Sequence, residues 1–192
     1  MSTFENLKGF VFNAMLIEDS LFSLQKQGVP IKEGIEQQPV SRIVSNEYNP
    51  LLIQQALDMS SVYTILFCIE NTLRDFIVQR LSERKGLDWW STCVPKKVQE
   101  EANKLKAREE QNKYLSTRGD SPINYTMLDN LAQIVINNWD DFSDIIPNQS
   151  WIQSRMHDLT MCRNVIMHTG VLSRYDIERI ESISRDFMSQ LG

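Results

Sequence analysis

Only three cysteines occur in the 192 residues, and Cys68, Cys93 and Cys162 show neither a CxxC pair nor a metal-ligand spacing. An odd, scattered set excludes a disulfide scaffold, and each cysteine falls in an apolar or mixed stretch where a buried thiol is ordinary. This usage fits a reducing, cytoplasmic compartment. Positive charge is also in short supply. With 20 Lys and Arg against 25 Asp and Glu, the formal net charge is -5, so the chain is not a basic protein that coats duplexes. Any nucleic-acid contact has to be local, in a groove where a few Arg and Lys outweigh acidic surroundings. Long hydrophobic runs are missing too. Residues 10–17 come nearest to a signal-peptide core but are short, are closed by Glu18 and Asp19 and lack a cleavage site, and no membrane segment is expected. Internal repeats, low-complexity tracts and the alternating pattern of strands are all absent.

What remains is helical periodicity, and it predicts an all-α protein. The 42% apolar content is enough for one continuous core. A first helix is expected over residues 4–27, with Leu7, Val11, Ala14, Leu21 and Leu24 on one face, ended by Gly28 and Pro30. A polar linker follows over residues 28–47. Asn49-Pro50 then reads as a cap with proline at the first helical position, opening a long helix to about Lys85 that Gly86 stops. Its core stripe is Val62, Leu66, Ile69, Leu73, Phe76 and Ile77. After a loop at residues 87–90, Pro95 opens a charged helix over residues 96–111, expected to be a largely solvated arm. Residues 114–125 read as a surface loop and residues 126–138 as a short amphipathic helix. Asn148 begins the next helix, which Gly170 ends, and Ser173 with Asp176 forms a capping box for a last helix, residues 174–191. The expected domains are an N-terminal helix and linker, residues 1–48, and a helical domain, residues 49–192.

Histidine is scarcer still, with His157 and His168 alone. They lie about 16 Å apart along one helix, too far to share a metal ion. His168 closes Arg163-Asn164-Val165-Ile166-Met167-His168, which places a fixed cation, an amide and a titratable imidazole at a helix end. Arg can hold a phosphate with a planar fork of donors. His can carry a proton to or from a ribose or phosphate oxygen near neutral pH. On an ideal helix Asn164 and His168 share a face, whereas Arg163 lies about 140° from His168. Three arrangements would bring the two to one phosphate: a swung Arg, an unwound last turn, or a second copy supplying the same helix across a twofold axis. The competing reading is a solvent-facing Arg and a His that caps the last carbonyls.

Other residues carry two readings each. Glu70 and Arg74, at i and i+4, form an ordinary salt bridge or else Glu70 positions His168 across the bundle. Trp89 and Trp90 stack unpaired bases or plug a packing gap. The Lys and Arg of the charged helix touch RNA backbone or form a solvated face with the interleaved Glu.

The helix ENTLRDFI from Glu70 to Ile77, the Gly-Leu-Asp-Trp-Trp with Val94-Pro95, the charged helix, the Arg118-Gly119-Asp120-Ser121-Pro122 loop, Asn138-Trp139-Asp140, Trp151-Ile152 and the closing Arg-Asn-x-x-x-His occur in one order that resembles the HEPN superfamily, in its Swt-type branch. That branch takes its name from a nuclear RNA quality-control protein and is also found in bacterial defence and conflict systems. The resemblance implies an up-and-down helical bundle that dimerises around its motif helix and, in active members, an endoribonuclease that needs no metal or other cofactor. In it Arg163, Asn164 and His168 are the catalytic residues, with Asn164 orienting His168 or the backbone, and RNA is the partner; Glu70 and Arg74 stand beside them as candidate supporting residues from their own spacing. His168 would exchange a proton with the 2′-OH or the leaving 5′-oxygen, and Arg163 would stabilise charge on the phosphate. A non-catalytic dimer that binds nucleic acid or nucleotide, or scaffolds a defence complex, is the alternative. Toxin members often carry a Tyr two residues after the His, which an antitoxin partner modifies; Gly170 stands there instead.

Overall fold

In the computed structural model the residues described are 48–112 and 114–191. The expected helix at residues 4–27 and its linker lie outside them. Contacts within the chain group residues 49–192 as one compact unit.

Six α-helices occur among the described residues: α1 Pro50–Lys85, α2 Trp89–Cys93, α3 Lys96–Glu110, α4 Leu128–Asn137, α5 Gln149–Met167 and α6 Arg174–Leu191. Two 3-10 turns, Pro122–Tyr125 and Trp139–Asp141, precede and follow α4. No strand is present among these residues, and the bundle is all-α as the periodicity predicts.

The helix ends follow from local chemistry. Asn49 Oδ1 accepts from the Leu51 N–H at 2.9 Å, Pro50 supplies a preset φ at the first helical position, and Gly86 adopts φ 83° just past the end. Arg84 and Lys85 place cations on the C-terminal turn, where the helix dipole favours them, and both reach Asp141. Arg80 adds a bond from Nε to the Asp141 carbonyl at 2.8 Å, fixing α1 to the turn after α4. Asn148 caps α5 through the Trp151 N–H at 2.8 Å. The Ser173 hydroxyl meets Asp176 Oδ2 at 2.7 Å, and the Asp176 N–H returns to Ser173 Oγ at 3.3 Å, the expected capping box.

Helix α1 packs on α2, α4, α5 and α6, while α4 packs on α5 and α5 on α6. The shared core takes Leu66, Ile69, Leu73 and Ile77 from α1, Leu131 and Ile134 from α4, Met156 and Leu159 from α5, and Ile180 and Phe187 from α6. Each such side chain contributes roughly 1.5–3 kcal/mol on leaving water. Between α5 and α6 the Arg155 guanidinium lies 4.2 Å above the Trp151 ring and its Nε donates to Asp186 at 3.0 Å, which locks the register of the two helices.

Three expectations need correction. The loop after Gly86 contains the five-residue helix α2, because Trp89 is buried and its turn closes on the Asp88 carbonyl. Residues 114–125 are not surface loop throughout, since Ile123 and Tyr125 are fully buried in the 3-10 turn. Helix α3 is less an arm than a lid on that turn: Val98 and Ala102 are buried, and α3 packs on Pro122–Tyr125. Its remaining face is mostly charged and exposed. The expectation of no membrane-like segment meets one exception: an 18-residue window of α1 is long and apolar enough to cross a membrane by length and composition alone, and only 22% of it is buried.

Candidate functional site

Helix α5 ends at Met167, one residue before His168, and the arginine, amide and histidine of the motif lie in different surroundings. Arg163 is half-buried, whereas Asn164 and His168 are exposed. His168 is the C-cap, its N–H donating to the Asn164 carbonyl at 3.1 Å. The Thr169 N–H then bonds the Ile166 carbonyl at 3.0 Å and the Gly170 N–H bonds Val165 at 2.8 Å, the paired bonds of a Schellman end. The left-handed residue in this motif is Thr169, with φ 61°, not Gly170. A β-branched residue is strained there, and its hydroxyl offsets part of that cost by donating to the His168 carbonyl at 2.6 Å. Gly170 is required for space instead: a Cβ there would meet Val165 Cγ1 at 2.7 Å and the Val165 carbonyl at 2.9 Å. The pair holds the backbone of His168 in a fixed turn.

Glu70 reaches the arginine of the motif, not the histidine. Its Oε2 stands 3.7 Å from Arg163 Nε, while Oε1 accepts from Arg74 Nη2. Arg74 continues to the Thr126 carbonyl at 2.9 Å and to Asn71 Oδ1 at 3.1 Å. The Glu70 and Arg74 side chains are 12% and 14% exposed, so both charges are largely removed from water and need this pairing. Arg74 Nε is buried with no hydrogen-bond partner among the described residues. Of the two readings made from sequence, the i,i+4 salt bridge is formed; the second contact of Glu70 is with Arg163, and no bond to His168 occurs among the described residues.

These residues line a cleft of about 400 Å³ between α1, α5 and the segment before α4. Arg74, Arg118 and Arg163 bring three cations to it, against the single carboxylate of Glu70. Tyr63, Phe67, Asn71 and Asn124 complete its aromatic and amide surfaces. Here a net acidic chain concentrates positive charge locally. Asn164 and His168 are not among the lining residues. Tyr63, Phe67, Arg118 and Asn124 were not expected at a site. The sequence did hold one signal for two of them, since Tyr63, Phe67, Glu70 and Arg74 follow a spacing of four, three and four along one helix face.

Other candidates resolve toward packing. Trp89 is buried and meets Trp90 edge-on, with ring centroids 5.6 Å apart, so the pair plugs the bundle. His157 is exposed on α5, away from the cleft lining.

With this geometry in hand, comparison with known proteins gives one match: the family model described as Swt1-like HEPN fits residues 64–192, two thirds of the chain. The matched span begins within α1 and includes Glu70, Arg74, the Arg118 loop, the motif and α6. HEPN families comprise nuclease and nucleotide-binding modules, and their domains commonly bind RNA and dimerise. No curated protein and no solved structure matches.

Proposed function

Because the chain belongs to the Swt1-like HEPN family, we propose that it is a metal-independent endoribonuclease that acts as a homodimer. The observation that carries this reading is Arg163, which stands at a cation-rich cleft and is followed five residues later by an exposed imidazole. In the proposed reaction His168 takes the proton of a ribose 2′-OH, the oxygen attacks the adjacent phosphorus, and the 5′-oxygen leaves with a proton taken from solvent water. Arg163 spreads its donors over the phosphate oxygens as charge builds. The products are a 2′,3′-cyclic phosphate and a 5′-hydroxyl, so DNA, which lacks the nucleophile, is not cut.

Two copies are needed in this scheme because His168 does not line the cleft that holds Arg163. Support for a second copy comes from an apolar groove of about 540 Å³ beside the motif, lined by Leu52, Ala56, Met59, Ile166, Met167 and Val171. Leu52, Met167 and Val171 are each more than half exposed, which a lone subunit gains nothing by maintaining. We assign the nuclease to residues 49–192, with residues 1–48 appended. We place its action in the cytoplasm, in a bacterial defence or toxin-antitoxin setting. Gly170 has no hydroxyl to modify, so restraint by a partner acts elsewhere.

The test is purified protein with total RNA in EDTA. Cleavage leaving cyclic phosphate ends is expected, and a requirement for added magnesium or zinc would remove the mechanism. Mixing Arg163→Ala with His168→Ala protein should restore part of the activity if the two groups meet across subunits. A non-catalytic nucleic-acid or nucleotide-binding dimer is favoured by one observation: Arg163 is already paired with Glu70. Under that reading RNA binds and is recovered intact.

A further inference from the structure

We propose that the cleft beside Arg163 is a base-reading subsite, taking the unpaired nucleotide next to the scissile phosphate, with Phe67 as its stacking face and Asn124 as the group that reads the base edge. The proposal rests on the ribonuclease reading for its position along the strand. Its volume of about 400 Å³ lies near the lower end of small-ligand sites, which suits one nucleotide rather than several.

The wall chemistry matches a nucleotide in three parts. Phe67 is 55% exposed and Tyr63 43%. Their rings, with centroids 6.2 Å apart and planes tilted by 50°, do not stack face to face on each other, so the Phe67 face stays available to a base. Arg118 is held by Glu109, with Nε 2.7 Å from Oε1, yet its side chain remains 40% exposed. Its outer N–H groups can hold a flanking phosphate. The two amides differ. Asn71 is committed to the protein, donating to the Phe67 carbonyl at 2.8 Å and accepting from Arg74 at 3.1 Å. Asn124 lines the cleft with its amide beside Gly119 and forms no side-chain hydrogen bond among the described residues, and an amide carries the adjacent donor and acceptor that pair with a base edge.

The loop is shaped around that amide. Gly119 has φ 138°, and a Cβ added to it would stand 2.1 Å from Asn124 Nδ2, so only glycine leaves room for the amide where it lies. The Tyr125 hydroxyl donates to the Gly119 carbonyl at 3.0 Å and fixes the turn beneath it. A base stacked inside a duplex cannot enter such a cleft, whereas a base splayed from a loop or single strand can.

The test uses the full chain, with Phe67→Ala and Asn124→Ala. Cleavage of a randomised single-stranded RNA pool is mapped, and binding is measured to a 2′-O-methyl oligonucleotide that cannot be cut. The wild type should favour one base at one position flanking the cut. Asn124→Ala should reduce that preference, and Phe67→Ala should weaken oligonucleotide binding, each by about 5- to 150-fold, the range set by a bidentate base contact or a stacked base. Helical circular dichroism should stay unchanged in both. Cutting without any flanking preference, or preference and affinity unchanged in both variants, overturns the subsite while leaving the nuclease intact. If the wild type binds but never cuts, the ribonuclease reading falls, and the two affinities still decide whether Phe67 and Asn124 hold a nucleotide. Free mononucleotides binding as tightly as the oligonucleotide would overturn the assignment to an RNA strand.

Discussion

Replacing Glu70 by Gln removes one charge from the centre of the Arg74–Glu70–Arg163 arrangement while keeping its volume. Breaking a fully buried pair costs about 3–5 kcal/mol when the other charge is left without compensation. Here Arg74 keeps the Thr126 carbonyl and Asn71, and Arg163 sits nearer to water, its side chain 28% exposed against 12% for Glu70. Gln can still accept one bond from Arg74. The loss therefore falls to that of a hydrogen bond between charged groups, about 1.5–3 kcal/mol. At roughly 2–4 °C per kcal/mol for a chain of this size, Tm should drop by about 3–12 °C. Salt screens such a pair weakly, so the drop should persist at high ionic strength. Glu178→Gln provides the control, because Glu178 and Arg174 are 54% and 89% exposed and such pairs contribute about 0–1 kcal/mol. Adding Arg74→Met to Glu70→Gln should cost less than the two changes summed, since it removes the unpaired charge together with its orphaned Nε. Thermal melts of the five proteins, the wild type, the three single variants and the double, decide the matter: a Glu70→Gln curve that overlays Glu178→Gln would refute the idea that this carboxylate joins α1 to the motif helix.

The other predictions concern the motif and the thiols. Thr169→Gly should raise stability by about 1 kcal/mol by relieving the left-handed strain, whereas Gly170→Ala should lower it by about 1–3 kcal/mol through the clash with Val165; melting temperatures show both. His168→Ala should slow RNA cleavage by about a hundred- to ten-thousand-fold with helix content intact, and a rate within twofold of wild type would end its assignment as the proton carrier. Arg163→Lys keeps the charge but loses the planar fork, so cleavage should fall strongly while RNA binding changes little; full activity in this variant would sink the catalytic reading. Burial first, and then the carboxylates of Asp176 and Asp158, hold the Cys162 thiol above its ordinary range. Iodoacetamide at pH 8 should therefore label exposed Cys68 quickly and Cys162 only after unfolding, which peptide mapping distinguishes.

The helix ends were legible in the sequence because each is written in two or three neighbouring residues: Asn49 with Pro50, Gly86, Asn148, and Ser173 with Asp176. The core stripe of α1 was legible for the same reason, since one period of spacing sets which side chains face inward. The cleft was not. Glu70 and Arg163 meet across helices far apart in the chain, and Arg74 reaches a carbonyl 52 residues away. No local pattern says which of several carboxylates an arginine will find. Ile123 and Tyr125 were misread for a related reason: a stretch rich in Ser, Gly and Pro reads as loop, and only the packing of α3 over it buries those two side chains. The Schellman end was half legible. Gly170 marked where the helix stops, but the left-handed position fell one residue earlier, on Thr169, the residue just past the His168 cap.

The composition of α1 follows from the same division of faces. A helix that served only the bundle would carry one apolar stripe and a polar remainder. In α1, Met59, Val62, Leu66 and Ile69 turn inward, yet Leu52, Tyr63 and Phe67 stand exposed on other faces. That second apolar set makes the window hydrophobic enough to pass for a membrane span while most of it lies outside the core. Leu52 belongs to the groove assigned to a second copy, Phe67 to the cleft assigned to a base, and Tyr63 lines both. If those assignments hold, pairing of subunits and entry of RNA are not independent events, because they share a wall at Tyr63 and at Met167. A second subunit would then do more than deliver His168: by packing against Tyr63 it would fix the side of the cleft on which Phe67 receives its base. The nucleotide would be gripped only where the imidazole that cuts it is also present.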